Sequence, residues 1–179
     1  LPIQLLWINL LTDSVSAVAL GLEPAEEEQM QRPGLAADEH VLTSEGFLTL
    51  AAFGIYIALA SVWVFYQYLD QGEALARTMA FTTLVLCQEL AVFAFRSDLR
   101  SALSLGVRSN PWLFVAVAGM LGLQGLAIYW PPLGSLLGTV PLDVTQLGLA
   151  AALALPVVFV PTMVKALRRR NSNEAANVT

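Results

Sequence analysis

The stretch from Phe47 to Gln67 contains no charged residue and is long enough to cross a membrane as a helix. About 20 consecutive apolar residues are needed for one α-helical crossing. Lipid offers no hydrogen bonds to the backbone, which favours helices because their backbone groups bond within the segment. The predicted helices cover about residues 3–22, 47–67, 78–95, 112–130 and 144–164. The sequence therefore predicts an all-α fold, an integral membrane bundle of five transmembrane helices.

The composition agrees with a protein embedded in membrane lipid. Hydrophobic residues make up 56% of the chain and charged residues only 13%, which argues against a soluble domain. The net charge of -5 comes mainly from an acidic cluster at Glu23 and Glu26 to Glu28. A nucleic-acid partner would require a basic surface, so we expect none.

The positions of lysine and arginine predict the orientation, because basic residues accumulate in cytoplasmic loops. Arg96, Arg100 and Arg108 lie between the third and fourth predicted helices, and a basic run from Lys165 to Arg170 follows the fifth. We therefore expect these segments in the cytoplasm and the N-terminus of the chain outside. The remaining short connections, 68–77 and 131–143, are then predicted to be outer loops.

We interpret residues 1–167 as one transmembrane domain and residues 168–179 as a basic and then polar cytoplasmic tail. The chain enters its first span at Leu1-Pro2-Ile3, without an initiator methionine or a signal-peptide pattern. We therefore expect it to be a piece of a longer protein.

Three polar residues interrupt the apolar run from Leu5 to Leu22: Asn9, Thr12 and Asp13. A carboxylate at membrane depth is costly unless it is paired, so it is by default a functional-site hypothesis. Residues at spacings of three and four share one face of a helix, where amide, hydroxyl and carboxylate oxygens can converge. Oxygen ligands suit Ca²⁺. The alternative is that these side chains form hydrogen bonds between helices.

The third predicted helix is the shortest and the least apolar, and it carries Gln88 and Glu89. Glu89 is a second candidate ligand. The alternatives are an interfacial residue or an ion pair with an arginine such as Arg77 or Arg96. Gln88 projects about 100° away from Glu89 on an ideal helix and is interpreted as a packing residue. The fourth helix begins at Asn110-Pro111, where asparagine suits the cap and proline suits the first turn. Pro156 and Pro161 should bend the fifth helix.

The first span reads Leu-Pro-Ile-Gln-Leu-Leu-Trp-Ile-Asn-Leu-Leu-Thr-Asp and continues to Ala-Leu-Gly-Leu-Glu-Pro, followed by Met30-Gln31-Arg32-Pro33. This pattern resembles the sixth membrane helix and the following loop of calcium-type P-type ATPases. Phe95-Arg96-Ser97-Asp98 and Ser109-Asn110-Pro111-Trp112 resemble the loop between the eighth and ninth helices of that family. The resemblance covers essentially the whole chain, as the C-terminal five-helix portion of such a pump.

The resemblance implies a set of ion ligands. In the sarco/endoplasmic reticulum calcium pumps, the sixth helix supplies an asparagine, a threonine and an aspartate to two adjacent Ca²⁺ sites. These match Asn9, Thr12 and Asp13, and Glu89 matches a glutamate that the eighth helix supplies. The pattern is similar to the two-site type of pump. The family commonly has Gly-Leu-Pro after the aspartate, whereas this chain has Ser14-Val15-Ser16, so no proline enforces a helix break there.

The chain lacks the Asp-Lys-Thr-Gly-Thr sequence that is phosphorylated in the family. We therefore expect no catalytic residue and no ATP hydrolysis in this chain alone. ATP and Mg²⁺ would act through domains outside it. The expected partners are membrane lipid and the N-terminal helices and cytoplasmic domains of the same pump. The short loops suit a pump of a bacterial plasma membrane.

Two further alternatives follow from the residues. The chain could belong to a secondary cation transporter, or to a membrane-embedded subunit, that uses intramembrane carboxylates for a proton or Na⁺ path. A pump with the same ligands could also carry Mn²⁺, Na⁺ or another cation, because each of these ions binds carboxylate and amide oxygens.

Overall fold

The regular structure of this chain is helical throughout the described residues. The computed structural model describes residues 1–9, 13–22, 44–94 and 110–159. In chain order the helices are α1 (Pro2–Trp7), α2 (Asp13–Gly21), α3 (Ser44–Leu69), α4 (Glu73–Ala94), α5 (Pro111–Tyr129), α6 (Pro131–Leu137) and α7 (Val144–Phe159). The all-α prediction is confirmed for these ranges.

Three of the helices are long and apolar enough to cross a membrane: Gly46–Leu69, Glu73–Ala94 and Pro111–Tyr129. They correspond to the second, third and fourth predicted spans. The apolar helix α7 is shorter as described and falls within the fifth predicted span. Pro156 lies inside α7, whereas Pro161 lies outside the described residues. The number of five crossings stays a prediction.

The first predicted span contains two α-helical segments. Helix α1 ends at Trp7, and Ile8 and Asn9 then continue in a wider, π-helical turn. Helix α2 begins at Asp13, and residues 10–12 lie outside the described part of the chain. Wider turns of this kind are frequent at functional sites. The segment that carries three of the predicted ligands is therefore not one uniform α-helix, although it lacks the proline that the family uses there.

Helix α4 is the central helix of the described bundle. It contacts α2, α3 and α5. Of its most apolar stretch, 56% is buried inside the protein, compared with 17% for α3 and 33% for α5. The span that is least apolar in sequence is therefore the one most enclosed by other helices. Thr78, Thr82 and Glu89 of α4 are buried and form hydrogen bonds that lipid would not offer.

Apolar clusters join α4 to its neighbours. One cluster contains Val64 of α3, Met79 of α4 and Ile128 of α5, together with Leu142 just before α7. Another contains Cys87 of α4 with Ala154 and Val157 of α7. The Tyr56 hydroxyl on α3 also donates a hydrogen bond to the Leu153 carbonyl oxygen at 2.7 Å. These contacts fix the position of α4 between α3 and α7.

The two connections predicted as outer loops contain more helix than expected. Helix α4 begins at Glu73, inside the predicted loop 68–77, after a turn in which Gly72 has a φ of 129°. The predicted loop 131–143 contains the short helix α6, which ends at Gly138 with a φ of 65°. Both glycines occupy backbone conformations that other residues rarely adopt.

Candidate cation-binding site

Glu89 is the best-defined member of the predicted site. Its side chain lies on α4 and is only 1% exposed. The Ser16 hydroxyl of α2, itself 3% exposed, donates a hydrogen bond to Glu89 Oε2 at 2.9 Å. Burying a charged carboxylate costs folding free energy on the order of several kcal/mol unless polar or charged groups compensate its charge. Glu89 is therefore a buried acidic group that meets α2, the helix that begins with Asp13.

Apolar packing encloses this polar contact on both sides along α4. Towards the start of α4, the aliphatic side chain of Ile8 packs with Phe81 and Val85. Towards its end, Ala19 of α2 packs with Leu113 and Val117 of α5, and Val92 and Phe93 of α4 lie against them. The Ser16–Glu89 hydrogen bond thus lies between two apolar layers. Low local polarity strengthens interactions between charges and dipoles, including those with a bound cation.

The structure locates the other predicted ligands only in part. Asn9 is exposed, and its carbonyl oxygen accepts a hydrogen bond from the Ser14 hydroxyl at 3.2 Å. Asp13 is the first residue of α2, but its side chain is outside the described part of the chain, as is the whole of Thr12. The convergence of all four ligands therefore stays a prediction. Among the side chains that the structure describes, no three His, Cys, Asp or Glu residues form a metal-binding group.

Ser16 is a polar residue near the candidate site that the sequence analysis did not select. Its sequence signal is its spacing within α2, because it follows Asp13 by three residues. Such a spacing continues one face of a helix. Serine is also a common residue for hydrogen bonds between membrane helices. The contact with Glu89 joins residues that are far apart in sequence, so the spacing alone does not reveal it.

Gln88 behaves differently from its neighbour Glu89. Its Oε1 atom is buried and has no hydrogen-bond partner among the described residues. The structure therefore does not bring Gln88 and Glu89 together at one contact, in agreement with their directions on the helix. An unpartnered buried amide oxygen is uncommon in folded proteins.

Asn110 connects α2 to α5 close to the site. Its Oδ1 atom accepts a hydrogen bond from the Leu113 backbone N–H at 3.1 Å, which is the predicted N-cap of α5. Its Nδ2 group donates to the Ala19 carbonyl oxygen at 2.9 Å, near the end of α2. The prediction of an asparagine cap followed by proline is confirmed. One buried side chain thus fixes α2 relative to α5.

An acidic side chain that apolar helices enclose marks a functional site, and ion and proton pathways are among the functions that use such a group. The family model described as "Cation transporting ATPase, C-terminus" matches residues 1–167. The chain therefore belongs to this family. The resemblance to calcium-type P-type ATPases is confirmed.

The relatives in this comparison are calcium-transporting ATPases from several kingdoms. A calcium-transporting ATPase of Bacillus subtilis is 36% identical over 78% of this chain and 16% of its own length. The human calcium-transporting ATPase type 2C member 1 is 30% identical over 93% of this chain and 18% of its own length. An endoplasmic reticulum-type calcium-transporting ATPase of Arabidopsis thaliana is 24% identical over 96% of this chain and 22% of its own length.

These alignments bear on two points. The chain spans only about a fifth of the length of these relatives, since the matched shares are 16, 18 and 22%. The endoplasmic reticulum-type relative has a lower percentage identity, 24%, than the other two, which have 30 and 36%. The two-site interpretation therefore depends on the residues at positions 9, 12, 13 and 89 and not on overall identity.

Proposed function

We propose that this chain is the C-terminal membrane domain of an ATP-driven Ca²⁺ pump and supplies part of its intramembrane ion site. Asn9, Thr12, Asp13 and Glu89 are the proposed ligands. The observation that carries the proposal is Glu89, a carboxylate 1% exposed at the contact between α2 and α4, in a chain of the cation-transporting ATPase family. Calcium-transporting relatives support Ca²⁺ as the ion.

The proposed ligands form only part of a complete site. Ca²⁺ takes about six to eight oxygen ligands, which four side chains do not supply for two ions. The remaining oxygens would come from helices outside this chain. ATP and Mg²⁺ would act in the cytoplasmic domains of the full-length protein, where phosphorylation takes place. This chain would therefore bind the ion only together with those helices.

The buried position of Glu89 has a direct consequence for transport. A bare carboxylate in this apolar layer is unfavourable, whereas a carboxylate that binds a cation, or one that carries a proton, is tolerated. Binding and release of Ca²⁺ would then be accompanied by loss and gain of a proton at the acidic ligands. We place the N-terminus of the chain outside and its C-terminus in the cytoplasm of a bacterial plasma membrane, on the basis of the basic segments and short loops.

The test is ATP-dependent Ca²⁺ uptake into inside-out membrane vesicles by the full-length pump and its variants. Asp13→Asn and Glu89→Gln preserve side-chain size but remove the negative charge. We expect both to lose uptake, and the Asp13 variant to lose Ca²⁺-activated phosphorylation as well. Ser135→Ala is the matched control, because Ser135 is exposed and bonds only locally, to the Pro132 carbonyl oxygen at 2.9 Å.

The outcomes test the assignment of the ligands and the identity of the transported ion separately. Undiminished Ca²⁺ uptake by both charge-removing variants would contradict the assigned site. If the unmodified pump transports no Ca²⁺, phosphorylation should be measured with Mn²⁺ and Na⁺ in its place. Activation by one of these ions, lost in the same variants, would retain the site and change the transported cation.

A further inference from the structure

We propose that Ser16 is a positioning residue of the cation site, whose hydroxyl group holds the Glu89 carboxylate in place. The inference rests on the proposed function, because it assigns a role to Ser16 through a proposed ligand. Ser16 itself would not bind the ion. Its contribution would be the direction and the restricted motion of the carboxylate.

The contact has the distance of an ordinary hydrogen bond and joins two buried groups. The Ser16 Oγ atom lies 2.9 Å from Glu89 Oε2, and the two residues are 3% and 1% exposed. Hydrogen bonds to charged groups are stronger than those between neutral groups, and little water reaches this pair to compete for them. The bond joins α2 to α4, which carry the two acidic residues of the proposed site.

The backbone of Ser16 is itself well anchored. One turn further along α2, Ala19 packs against Leu113 and Val117, and its carbonyl oxygen accepts the bond from Asn110. The hydroxyl therefore projects from a helix whose end is fixed to α5. A donor on a fixed helix can select one arrangement of a flexible side chain, whereas a donor on a loop would move with it.

Glutamate benefits from such a constraint because its side chain has three rotatable bonds. Restricting these bonds before the ion binds reduces the entropy that binding must remove. A carboxylate has about four lone-pair positions, so an oxygen that accepts one hydrogen bond retains positions for a cation. Groups behind metal ligands commonly tune affinity in this way, and their loss typically weakens metal binding about 10- to 100-fold.

The experiment compares Ser16→Val with Ser16→Thr in the full-length pump. Threonine and valine have almost the same branched shape, but only threonine keeps the hydroxyl group. We measure the Ca²⁺ concentration that half-activates phosphorylation by ATP and the maximal level of phosphorylation. We expect Ser16→Val to raise the half-activating concentration about tenfold with the maximal level retained, and Ser16→Thr to stay within about twofold of the unmodified pump.

Two further variants distinguish positioning from packing. Thr82→Val removes a different buried hydroxyl, which lies on α4 and accepts a hydrogen bond from Gln124 Nε2 at 3.3 Å. This variant should leave the half-activating Ca²⁺ concentration unchanged. Ser16→Val in a Glu89→Ala background should add no further loss, because the partner is already absent. If valine prevents folding, Ser16→Ala removes the same hydroxyl with a smaller side chain of high helix propensity, and the same increase is expected.

The results distinguish failure of the role proposed for Ser16 from failure of the proposed ion site. Equal half-activating concentrations for the valine and threonine variants would overturn the role of Ser16, as would fully additive effects of Ser16→Val and Glu89→Ala. An increase of the same size in Thr82→Val would also overturn it, because any lost buried hydroxyl would then have this effect. If Glu89→Ala itself leaves Ca²⁺ activation unchanged, the proposed ion site fails and the inference fails with it.

Discussion

Replacing Asn110 by alanine should weaken the junction between α2 and α5. The Asn110 side chain is 2% exposed and makes two hydrogen bonds there. It accepts one from the Leu113 N–H at 3.1 Å, at the start of α5, and donates one to the Ala19 carbonyl oxygen at 2.9 Å, near the end of α2. Alanine can make neither bond. The helix that begins at Asp13 would then lose a fixed point at its other end.

The expected loss of stability is the sum of the contributions of the two hydrogen bonds. Loss of an N-cap side chain costs about 0.5–2 kcal/mol. The Ala19 carbonyl oxygen also accepts a bond from the Leu22 N–H at 3.3 Å, so it would not become wholly unpaired. The second loss is therefore that of an ordinary net hydrogen bond, about 1 kcal/mol. Together we expect Asn110→Ala to destabilise the junction by about 1.5–3 kcal/mol.

The assay is the half-time of irreversible heat inactivation of the full-length pump in detergent, followed by Ca²⁺-activated phosphorylation. Large membrane proteins unfold irreversibly, so a rate is the proper measure of their stability. If the whole change of about 1.5–3 kcal/mol appeared in the unfolding barrier, inactivation would be about 10- to 150-fold faster, which sets the upper limit.

Asn110→Ser is the matched control for this prediction. Serine is also a favoured N-cap residue, but its shorter side chain would not reach Ala19 while it caps α5. Its half-time should therefore lie between those of the unmodified pump and Asn110→Ala. Equal half-times for the alanine and serine variants would show that the cap contributes nothing. A half-time for Asn110→Ala equal to that of the unmodified pump would refute the whole account of this junction.

Three other replacements test the packing around α4 by the same assay. Gln124→Leu should leave the half-time unchanged or longer, because loss of the bond from Gln124 Nε2 to Thr82 Oγ1 at 3.3 Å is offset by removal of the buried Oε1, which has no partner among the described residues; a clear shortening would contradict this. Gly138→Ala should shorten it, by about 1–2 kcal/mol of lost stability, because φ is 65° there and an added Cβ would lie 2.6 Å from Leu1 Cδ1. Gly138→Asn should shorten it less, since asparagine tolerates this φ better; equal effects would assign the loss to the contact with Leu1 and not to the backbone. Tyr56→Phe should lose about 1 kcal/mol with its bond to the Leu153 carbonyl oxygen, and an unchanged half-time would show that bond to be dispensable.

The long helices were the most predictable part of the fold. Helices α3 and α5 begin and end within a few residues of the predicted spans 47–67 and 112–130. Polar residues follow the apolar stretch of α3, whereas the Asn110 cap precedes α5 and Pro131 follows its end. Helix α4 begins at Glu73, before the predicted start at residue 78. The reason is local, since Arg77 donates a hydrogen bond to Glu73 at 3.0 Å within the first turns of the helix. A hydropathy criterion counts both residues as loop, although they stabilise the helix.

The candidate site was predictable only where a single residue carries the signal. Glu89 is a carboxylate within an apolar span, and that alone marks it. Ser16 carries no such signal, because a serine in a membrane helix is common and its partner lies on another helix. Its contact with Glu89 depends on how α2 and α4 pack, which no pattern within α2 specifies. The short helix α6 was not predicted because its two prolines are typical both of a loop and of a first helical turn.

The hydropathy of α4 and its position in the bundle have one physical explanation. Lipid tails are as apolar as leucine, so an apolar helix gains little by leaving lipid for protein. Association of membrane helices depends more on close packing and on polar contacts that lipid does not offer. Thr78, Thr82 and Glu89 are all buried on α4, and each takes part in a hydrogen bond to another segment. The polar residues that lower the hydropathy of α4 are thus the same ones that favour its enclosure, and a cation site at membrane depth requires that enclosure.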